Sequence, residues 1–434
     1  MSALAQVLVD QGAKVTGSDR FHDQGTRLPV LDRLQAGGVT LYPQDGTALH
    51  ADVSSLVFST AVEPDNPERL AAEALGIPVR PRAEVLAEQA CQGAVIGVAG
   101  TAGKTTTTGM LAWLLAETGF DPVMVNGGSV PRWNAVDRVG SVRASSRTGS
   151  DAPWVVEVDE SDRSLLQFSP VVSVLSNVSR DHFSLDETWE LFRAYADQVE
   201  DGLFIPPVLK EGLRGVSTRL EVVDASFEIG PRSSAIRWGD ESWTCPVPGR
   251  HNAENAALAW AVARRWGAKA SELADAFLRF PGIERRLHRI PSREGLVVFD
   301  DYAHNPAKIG AAWRTAQAFG ERVCGIWRPH GFGPLSAMED DLVKTWSEVM
   351  GSTDRLWVLP VFYAGGTATA SRDSDHLVER LNESGVAAEW VPDHDAATAS
   401  MQAAFKDEGD VALVLGARDP YLPDLAARLG NARC

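Results

Sequence analysis

The sequence contains little cysteine, and its few cysteines are widely scattered. Four occur in 434 residues, at Cys91, Cys245, Cys324 and Cys434, and no C-x-x-C pair is present. A chain of this length with 44% hydrophobic residues can build a large core without a disulfide or a structural metal. We therefore expect a reduced, cytoplasmic protein.

Long apolar runs and an excess of positive charge are also missing. No run approaches ~18 apolar residues, and no basic segment followed by an apolar stretch marks a signal peptide, so we expect no membrane insertion. Lys and Arg number 41 against 58 Asp and Glu, which gives a formal net charge of −17. An acidic surface repels nucleic acid and anionic membranes, but it leaves room for a local basic pocket that binds a phosphorylated ligand.

A glycine-rich turn is missing before the first helix. Residues 1–8 predict a helix, whereas a nucleotide-binding βαβ unit places a strand and a glycine turn ahead of such a helix. Either the start codon is wrongly placed or the domain has lost its phosphate turn. These alternatives leave diphosphate binding by this part of the chain open.

The sequence does contain alternating strand and helix signals, which predict an α/β protein with domains at 1–90, 91–281 and 282–434. Residues 127–153 are polar and rich in Gly, Ser and Arg, and they predict an insertion or mobile flap. The predicted strands are 14–17, 55–59, 77–79, 94–99, 154–158, 171–175, 296–299, 355–359 and 411–415, and the predicted helices are 1–8, 64–75, 105–117, 307–319 and 340–350.

The strongest motif follows the predicted strand 94–99. Its residues are Gly100, Thr101, Ala102, Gly103, Lys104, Thr105 and Thr106. In such a turn, backbone N–H groups point at phosphate oxygens, and the following helix N-terminus favours negative charge. Lys104 would reach the β- and γ-phosphates, and the Thr105 hydroxyl would hold Mg²⁺. Val98 replaces the first glycine of the strict pattern, but the strand, turn, Gly-Lys-Thr and helix occur in the right order.

Acidic residues crowd the end of the predicted strand 154–158. Glu157, Asp159, Glu160 and Asp162 place four carboxylates within six residues, where they repel one another. A divalent cation relieves that repulsion, and Mg²⁺ takes oxygen ligands. The alternative is a solvated acidic turn, but a phosphate loop in the same chain favours the metal because MgATP needs such carboxylates.

Two polar segments contain further candidates. His182 lies shortly after the predicted strand 171–175, where a neutral imidazole can add a metal contact; a capping or core histidine is the alternative. His251, Asn252 and Asn255 open a helix, and an Asn side chain can bind the amide edge of adenine. Capping of that helix by Asn252 is the competing interpretation.

Charged residues also surround one strand of the third domain. Arg285 and Arg286 precede the strand, Asp300 and Asp301 end it, and His304 follows closely. An arginine suits a transferring γ-phosphate, because its guanidinium binds phosphate oxygens in pairs.

The order of these motifs resembles the Mur ligase family, nearest to its alanine-adding branch. The matching stretches are GVAGTAGKTTTT, VEVDESD, NVSRDH, PGRHNAENAALA, RRLHR and DDYAHNPAKI, from Gly97 to Lys308, together with MSALAQVL, Gly17–Asp19 and STAVEPDNPE. The resemblance implies an N-terminal Rossmann-like domain that holds a UDP-sugar, a central ATPase-like mixed sheet with a phosphate loop, and a C-terminal Rossmann-like domain that receives the amine.

The resemblance also implies roles for residues around ATP, Mg²⁺ and the two substrates. They are Lys104 and Thr105 for MgATP, Glu157 and His182 with Glu160 as a near alternate for Mg²⁺, His251, Asn252 and Asn255 for adenine, Arg286 and Asp301 for phosphate and ribose, His304 beside the substrates, and Ser18 and Asp19 for the carboxylate substrate.

Two segments depart from the family. Ala102 stands where the nearest relatives have histidine, but the backbone cradle is unchanged, so we expect ATP binding. The alanine-adding enzymes carry arginines after the histidine that matches His330, and glycine and proline replace them here. We expect His330, Arg328 and Arg418 to bind the amine substrate, with the two arginines supplying the missing positive charge.

The implied activity is an ATP-dependent ligase that activates a carboxylate as an acyl phosphate, which an amino-acid amine then attacks. UDP-N-acetylmuramate with L-alanine or a related amine is the expected substrate pair, in peptidoglycan biosynthesis. A muropeptide-recycling ligase, a Mur-like ligase of another pathway, a noncatalytic MgATP-binding regulator and a plain ATPase or kinase are the alternatives. We expect only small-molecule substrates and a monomer or weak homodimer.

Overall fold

The computed structural model describes residues 1–25, 28–59, 62–134, 145–149, 153–180, 183–363, 373–405 and 409–431. The chain divides into two compact units. Unit 1 contains residues 1–229 and 233–282, and unit 2 contains residues 230–232 and 283–434.

Helices occur throughout both units. In chain order they are α1 Ser2–Asp10, α2 Arg20–Asp23, α3 Pro29–Ala36, α4 Pro67–Ala74, α5 Arg82–Ala90, α6 Lys104–Glu117, α7 Leu185–Ala196, α8 Arg250–Arg265, α9 Ala270–Leu278, α10 Pro306–Ala316, α11 Phe332–Val349, α12 Ser374–Glu383, α13 His394–Ala404 and α14 Leu422–Asn431. Short 3-10 helices lie at Pro131–Asn134, Ser164–Gln167, Pro207–Leu209 and Gln317–Phe319.

Strands alternate with these helices, as an α/β architecture requires. In chain order they are β1 Thr16–Gly17, β2 Thr40–Leu41, β3 Leu56–Phe58, β4 Val79–Pro81, β5 Val95–Ala99, β6 Val123–Val125, β7 Ser146–Arg147, β8 Trp154–Glu157, β9 Val172–Leu175, β10 Gly202–Ile205, β11 Leu220–Val222, β12 Ser226–Ile229, β13 Ser234–Trp238, β14 Glu241–Cys245, β15 His288–Ile290, β16 Leu296–Asp301, β17 Arg322–Arg328, β18 Arg355–Val358, β19 Ala388–Trp390 and β20 Asp410–Gly416.

The main sheet of unit 1 has seven strands among the described residues, in the order β11-β10-β9-β5-β8-β6-β7. Its pairs are parallel except β6 with β7. The central strand β5 is wholly buried, which explains its unbroken apolar sequence. Because β5, β8 and β9 run in parallel, their carboxyl ends meet at one edge, where the phosphate loop and the acidic segment begin.

The N-terminal part of unit 1 contains two small parallel pairs, β1 with β2 and β3 with β4. Helix α1 is buried through Ala3, Leu4 and Val7, which belong to the same hydrophobic cluster as Val95 of β5. Near the other end of the unit, β12, β13 and β14 form an antiparallel sheet. Helix α1 therefore packs into the core of the main sheet.

Unit 2 contains a six-stranded sheet among its described residues, in the order β15-β16-β20-β17-β18-β19. All neighbours are parallel except β15 with β16. The carboxyl ends of β16, β17 and β20 are therefore adjacent. Asp301, Arg328 and Arg418 lie at or just after those three ends, so the topology gathers them at one edge.

The predicted fold class is confirmed: the chain is α/β with mixed, mostly parallel sheets. The start predicted for the helix at 340–350 is wrong, because α11 begins at Phe332. Gly331 precedes it with a left-handed φ of 75°, and Pro334 lies in its first turn, where proline leaves no hydrogen bond unmade. Part of the segment predicted as an insertion or flap, 135–144 and 150–152, lies outside the described residues.

Candidate active site

The loop between β5 and α6 has a conformation that only glycine accommodates at two positions. Gly100 and Gly103 have φ of 134° and 82°. A Cβ on Gly100 would lie 2.2 Å from Ser176 Oγ, and one on Gly103 would lie 2.5 Å from Asn255 Oδ1. The turn therefore keeps its backbone close to neighbouring polar groups, as a phosphate cradle requires.

Lys104, the first residue of α6, is held by oxygen atoms. Its Nζ lies 2.8 Å from Gly100 O and 2.5 Å from Glu160 Oε2, and Asp159 Oδ1 is 4.0 Å away. Burial alone would lower the pKa of Lys104, but Glu160, Asp159 and Glu157 raise it above its ordinary value. The lysine is therefore a permanent cation at the start of the helix.

Thr105 and Glu157 form the second polar pair of the loop. The Thr105 hydroxyl donates to Glu157 Oε1 at 3.1 Å, and Gly127 N donates to Glu157 Oε2 at 2.7 Å. A hydroxyl and a carboxylate are hard oxygen donors of the kind that Mg²⁺ prefers, so this pair fits that ion. Among the described residues, no three His, Cys, Asp or Glu side chains converge as a ready-made metal site. His182 lies outside the described residues.

A network that the sequence did not reveal supports the loop from β9. Asn177 Oδ1 accepts from Thr101 Oγ1 at 2.7 Å and from Ala102 N at 2.9 Å, and Asn177 Nδ2 donates to Ala102 O at 3.0 Å. Ser176 Oγ also donates to Ala102 O, at 2.7 Å. The sequence signal for Asn177 is its position just after β9, the strand that pairs with β5, whereas the metal site was predicted at His182 in the same segment.

The three residues expected near adenine lie at the start of α8. Asn255 is buried, with its carboxamide against Gly103 of the loop. Asn252 is also buried, and its Nδ2 donates to Pro248 O at 2.7 Å. It does not cap the helix, because Gly249 occupies the N-cap position. His251 is exposed in the first turn.

Ser18 and Asp19 follow β1 in the N-terminal part of unit 1. Ser18 Oγ donates to Glu68 Oε2 at 2.5 Å, and Asp19 caps α2 by accepting from Phe21 N at 2.9 Å. Burial raises the pKa of Glu68, and Ser18 opposes that shift. Both predicted residues thus lie side by side at a strand end, although Asp19 also has a local structural role.

In unit 2, Asp301 joins two backbone segments. Its Oδ2 accepts from Leu287 N at 2.5 Å and its Oδ1 from Ala303 N at 2.7 Å. Burial raises the pKa of Asp301, and Arg286 lowers it most among the opposing groups. The guanidinium of Arg286 lies over the Tyr302 ring, 5.1 Å from its centre. The structure therefore brings the predicted pair Arg286 and Asp301 together.

Two histidines are in contact at the same edge of the sheet, and two cations act on one of them. The rings of His304 and His330 meet edge to face, with centres 4.8 Å apart. Burial, Arg418 and Lys308 lower the pKa of His330 to about 4. His330 is therefore neutral at physiological pH, and the positive charge in this group comes from Arg418 and Lys308. Lys308 was missed, although the sequence shows it four residues after His304.

Arg328 has a different environment from Arg418. Its Nη1 donates to Asp419 at 2.6 Å, and the same carboxylate oxygen lies 2.7 Å from His394 Nε2. Its Nε donates to Pro360 O at 3.1 Å. Asp419 is buried, and Arg418 is exposed. The charge of Arg328 is therefore balanced within the protein.

A glycine-lysine loop after a buried parallel strand, beside a strand end rich in carboxylates, defines a phosphate-loop nucleotide-dependent enzyme. Three family models match the chain: the Mur ligase family catalytic domain over residues 1–93, the Mur ligase middle domain over 98–197, and the Mur ligase glutamate ligase domain over 285–418. The chain belongs to the Mur ligase family and is an ATP-dependent ligase.

Relatives and solved structures agree with this family. The UDP-N-acetylmuramate--L-alanine ligase of Gloeobacter violaceus is 33% identical, over 99% of this chain and 93% of its own length. That of Nitrosomonas eutropha is 32% identical, over 96% and 92%. The fold is similar to that of the UDP-N-acetylmuramate-alanine ligase from Thermotoga maritima, with a TM-score of 0.80, 22% identity, and coverage of 99% of this chain and 95% of that one.

The murein peptide ligase of Psychrobacter arcticus has a similar fold as well, with a TM-score of 0.70, 22% identity, and coverage of 100% of this chain and 97% of that one. In the described part of the chain, no helix combines the length and the hydrophobicity that a membrane crossing requires.

Proposed function

We propose that this chain joins the carboxylate of UDP-N-acetylmuramate to the amine of L-alanine or a related amine. The observation that carries the proposal is the pairing of Lys104 with Glu160 and of Thr105 with Glu157. The chain that contains these pairs matches an alanine-adding ligase over 93% of that ligase's length. We assign the UDP-sugar to a domain at 1–90, ATP to 91–281 and the amine to 282–434.

The reaction proceeds in two steps. A carboxylate oxygen attacks the γ-phosphorus of ATP, which forms an acyl phosphate and releases ADP. The amine nitrogen then attacks the acyl carbon, and collapse of the tetrahedral intermediate breaks the bond from that carbon to the phosphate oxygen. The products are the amide, inorganic phosphate and the proton that the amine nitrogen loses. Phosphate leaves an acyl carbon readily, whereas an oxide ion does not. The carboxylate must therefore be activated before the amine attacks.

Lys104 and the backbone amides at 100–106 bind and orient the ATP phosphates in this proposal. Thr105 and Glu157 would hold Mg²⁺, with His182 as a further ligand and Glu160 as the alternate. Bound Mg²⁺ shields the negative charge of the phosphates. Positioning of the reactants contributes roughly 7–11 kcal/mol of the barrier reduction in favourable cases.

The remaining predicted residues bind and orient the other groups. Asn255 supports the loop through Gly103, while His251 and Asn252 lie at the helix start that we assign to the adenine. Arg286 and Asp301 are assigned to the phosphate and ribose. Ser18 and Asp19 are assigned to the carboxylate substrate.

The amine substrate carries its own carboxylate, which needs a cation. We assign that role to Arg418, which is exposed and whose charge, like that of Lys308, lowers the pKa of His330. Arg328 contributes less, because Asp419 already balances its charge. His304 orients the amine beside neutral His330. We also propose that the protein is cytoplasmic and is a monomer or a weak homodimer.

A muropeptide-recycling ligase is the second candidate function. The turn Gly331-Phe332-Gly333 opens α11 with two residues that lack side chains, beside His330. The missing side chains favour a larger amine substrate, such as a peptide, over L-alanine alone.

The test is phosphate release by the full chain with MgATP and UDP-N-acetylmuramate against a panel of amino acids and muramyl-type peptides. We expect release only when both a carboxylate and an amine are present. A preference for L-alanine supports the first candidate, and a preference for a peptide supports the second. Equal ATP turnover without either substrate would contradict both.

A further inference from the structure

The guanidinium of Arg285 donates hydrogen bonds to the two backbone carbonyls that precede Arg418. Its Nη1 donates to Ala417 O at 2.8 Å, and its Nη2 donates to Gly416 O at 2.5 Å. Gly416 is the last residue of β20, so two parallel bonds tie Arg285 to the end of a central strand. The path of the chain into Arg418 therefore depends on this guanidinium.

The backbone around Arg285 is itself held in an unusual conformation. Arg285 and Leu287 have left-handed φ of 59° and 47°, which non-glycine residues adopt only when their surroundings enforce it. The enforcing bonds come from one short segment: Tyr302 N donates to Arg285 O at 2.7 Å, and Leu287 N donates to Asp301 at 2.5 Å. Arg286 lies between these two fixed residues.

Arg285 and Arg286 also share one aromatic neighbour. Their Cζ atoms lie 5.0 Å and 5.1 Å from the centre of the Tyr302 ring. Cations near an aromatic face are attracted by its quadrupole, and the shared ring brings the two guanidinium groups into a defined relation.

A buried carboxylate lies beside the remaining edge of the guanidinium. Asp300 Oδ2 is 3.6 Å from Arg285 Nε, and the Asp300 side chain is only 2% exposed. Neither Asp300 Oδ1 nor Arg285 Nε has a hydrogen-bond partner among the described residues. A buried carboxylate with so few hydrogen bonds lowers the stability of the folded state, so packing alone does not explain why Asp300 occupies this position.

We propose that Arg285 is a positioning residue, which fixes Arg286 and Arg418 relative to each other while Asp300 orients its guanidinium. The inference rests on the proposed function, in which Arg286 serves the ATP phosphate and Arg418 the carboxylate of the amine substrate. Arg285 and Asp300 act through those two arginines and through the Gly416–Ala417 backbone.

The first test is Arg285→Lys, which keeps the charge but replaces a planar fork by a single point donor. Lysine cannot bind both carbonyls and face Asp300 at once. We expect kcat to fall and KM for the amine to rise, each by about tenfold, which corresponds to the loss of one charge-assisted hydrogen bond. KM for ATP should stay near the wild-type value, because Lys104 and the loop amides still bind the phosphates and a displaced Arg286 lowers kcat instead. Arg314→Lys, the same change at an exposed site on α10, is the control.

Asp300→Asn is the second variant, because it keeps the shape and removes the charge. We expect the same pattern, with a smaller rise in KM for the amine and no loss of thermal stability at pH 8. A loss of kcat with all KM values unchanged in both variants would indicate a purely structural role and overturn the proposal. Wild-type kinetics in Arg285→Lys would overturn it as well.

Hydrogen–deuterium exchange of the substrate-free full chain separates this proposal from the proposed function. In Arg285→Lys we expect faster amide exchange in peptides that contain 285–287, 301–303 and 416–419, with unchanged exchange at 100–106. If wild-type protein fails to use UDP-N-acetylmuramate or any tested amine, the proposed function fails while this comparison still applies. Unchanged exchange in all three segments would overturn the positioning role.

Discussion

Lys104 Nζ lies 2.5 Å from Glu160 Oε2, so the lysine that we assign to the ATP phosphates already has an anionic partner. The two side chains are 13% and 3% exposed, which makes this an ion pair shielded from water. A phosphate group that binds the loop must therefore compete with Glu160 for Lys104.

Replacing Glu160 by Gln tests that competition. The neutral amide no longer holds Lys104, so we expect the Kd for ATP to fall by about tenfold, the equivalent of ~1.4 kcal/mol. Isothermal titration with MgATP provides the measurement. Asp162→Asn makes the same charge change on an exposed residue of the same turn and should leave the Kd unchanged. Weaker ATP binding, relieved by excess Mg²⁺, would instead assign Glu160 to the metal.

Replacing Lys104 by Met should abolish phosphate release, with a loss of at least about 10³-fold in kcat, because preorganised charge at the phosphates is removed. The change also leaves Glu160 buried without its cation, which costs about 3–5 kcal/mol of stability. The double variant with Glu160→Gln should regain the stability without the activity. Lys210→Met makes the same substitution at an exposed position and should leave both the activity and the stability unchanged. Normal turnover in the single variant would refute the role of Lys104.

Thr105→Val should raise the Mg²⁺ concentration that gives half-maximal activity. Valine keeps the shape of the side chain but removes the hydroxyl that donates to Glu157. We expect an increase of about tenfold or more, as for other losses in a metal environment. The matched control is Thr107→Val on the same helix, where the hydroxyl is buried and has no hydrogen-bond partner among the described residues. If both variants shift the Mg²⁺ requirement equally, Thr105 has no special role at the metal.

Much of this arrangement follows from local sequence signals. The apolar run at β5, the glycine turn and Lys104 predict a phosphate loop because each step depends on neighbouring residues only. Gly76 likewise marks the end of α4. In contrast, the start of α11 at Phe332 was not predicted, because Gly333 and Pro334 are helix breakers except in a first turn and sequence does not show where that turn lies.

The partners within the site could not be predicted in the same way. Lys104 and Glu160 are 56 residues apart, and their pairing depends on the parallel register of β5 with β8. The bonds between Arg285 and the end of β20 span 131 and 132 residues. Sequence indicated that charged residues follow strand ends, but the order of strands in the sheet decides which of them meet.

Asp300 provides a prediction about pH. Burial raises its pKa to about 7; Arg285 opposes the shift, while Asp301 and Glu284 add to it, and His288 lies opposite on β15. Because the folded-state pKa exceeds the ordinary value of 3.8, the folded chain binds this proton more tightly than the unfolded chain. The stabilising contribution is complete below pH 3.8 and is lost as the pH rises through about 7.

Asp300→Asn removes that dependence. Between pH 5 and pH 8 the wild type should lose about 2–3 kcal/mol relative to the variant, since ~1.4 kcal/mol corresponds to one pH unit. Thermal unfolding of both proteins across this range provides the measurement, with Asp341→Asn on the exposed face of α11 as the control. A stability difference that stays constant with pH would show that Asp300 does not titrate in this window. Suppose that the stability of the variant relative to the wild type increases with pH and that the variant is less active at pH 8. The charge of Asp300 then destabilises the fold and is retained because it orients Arg285.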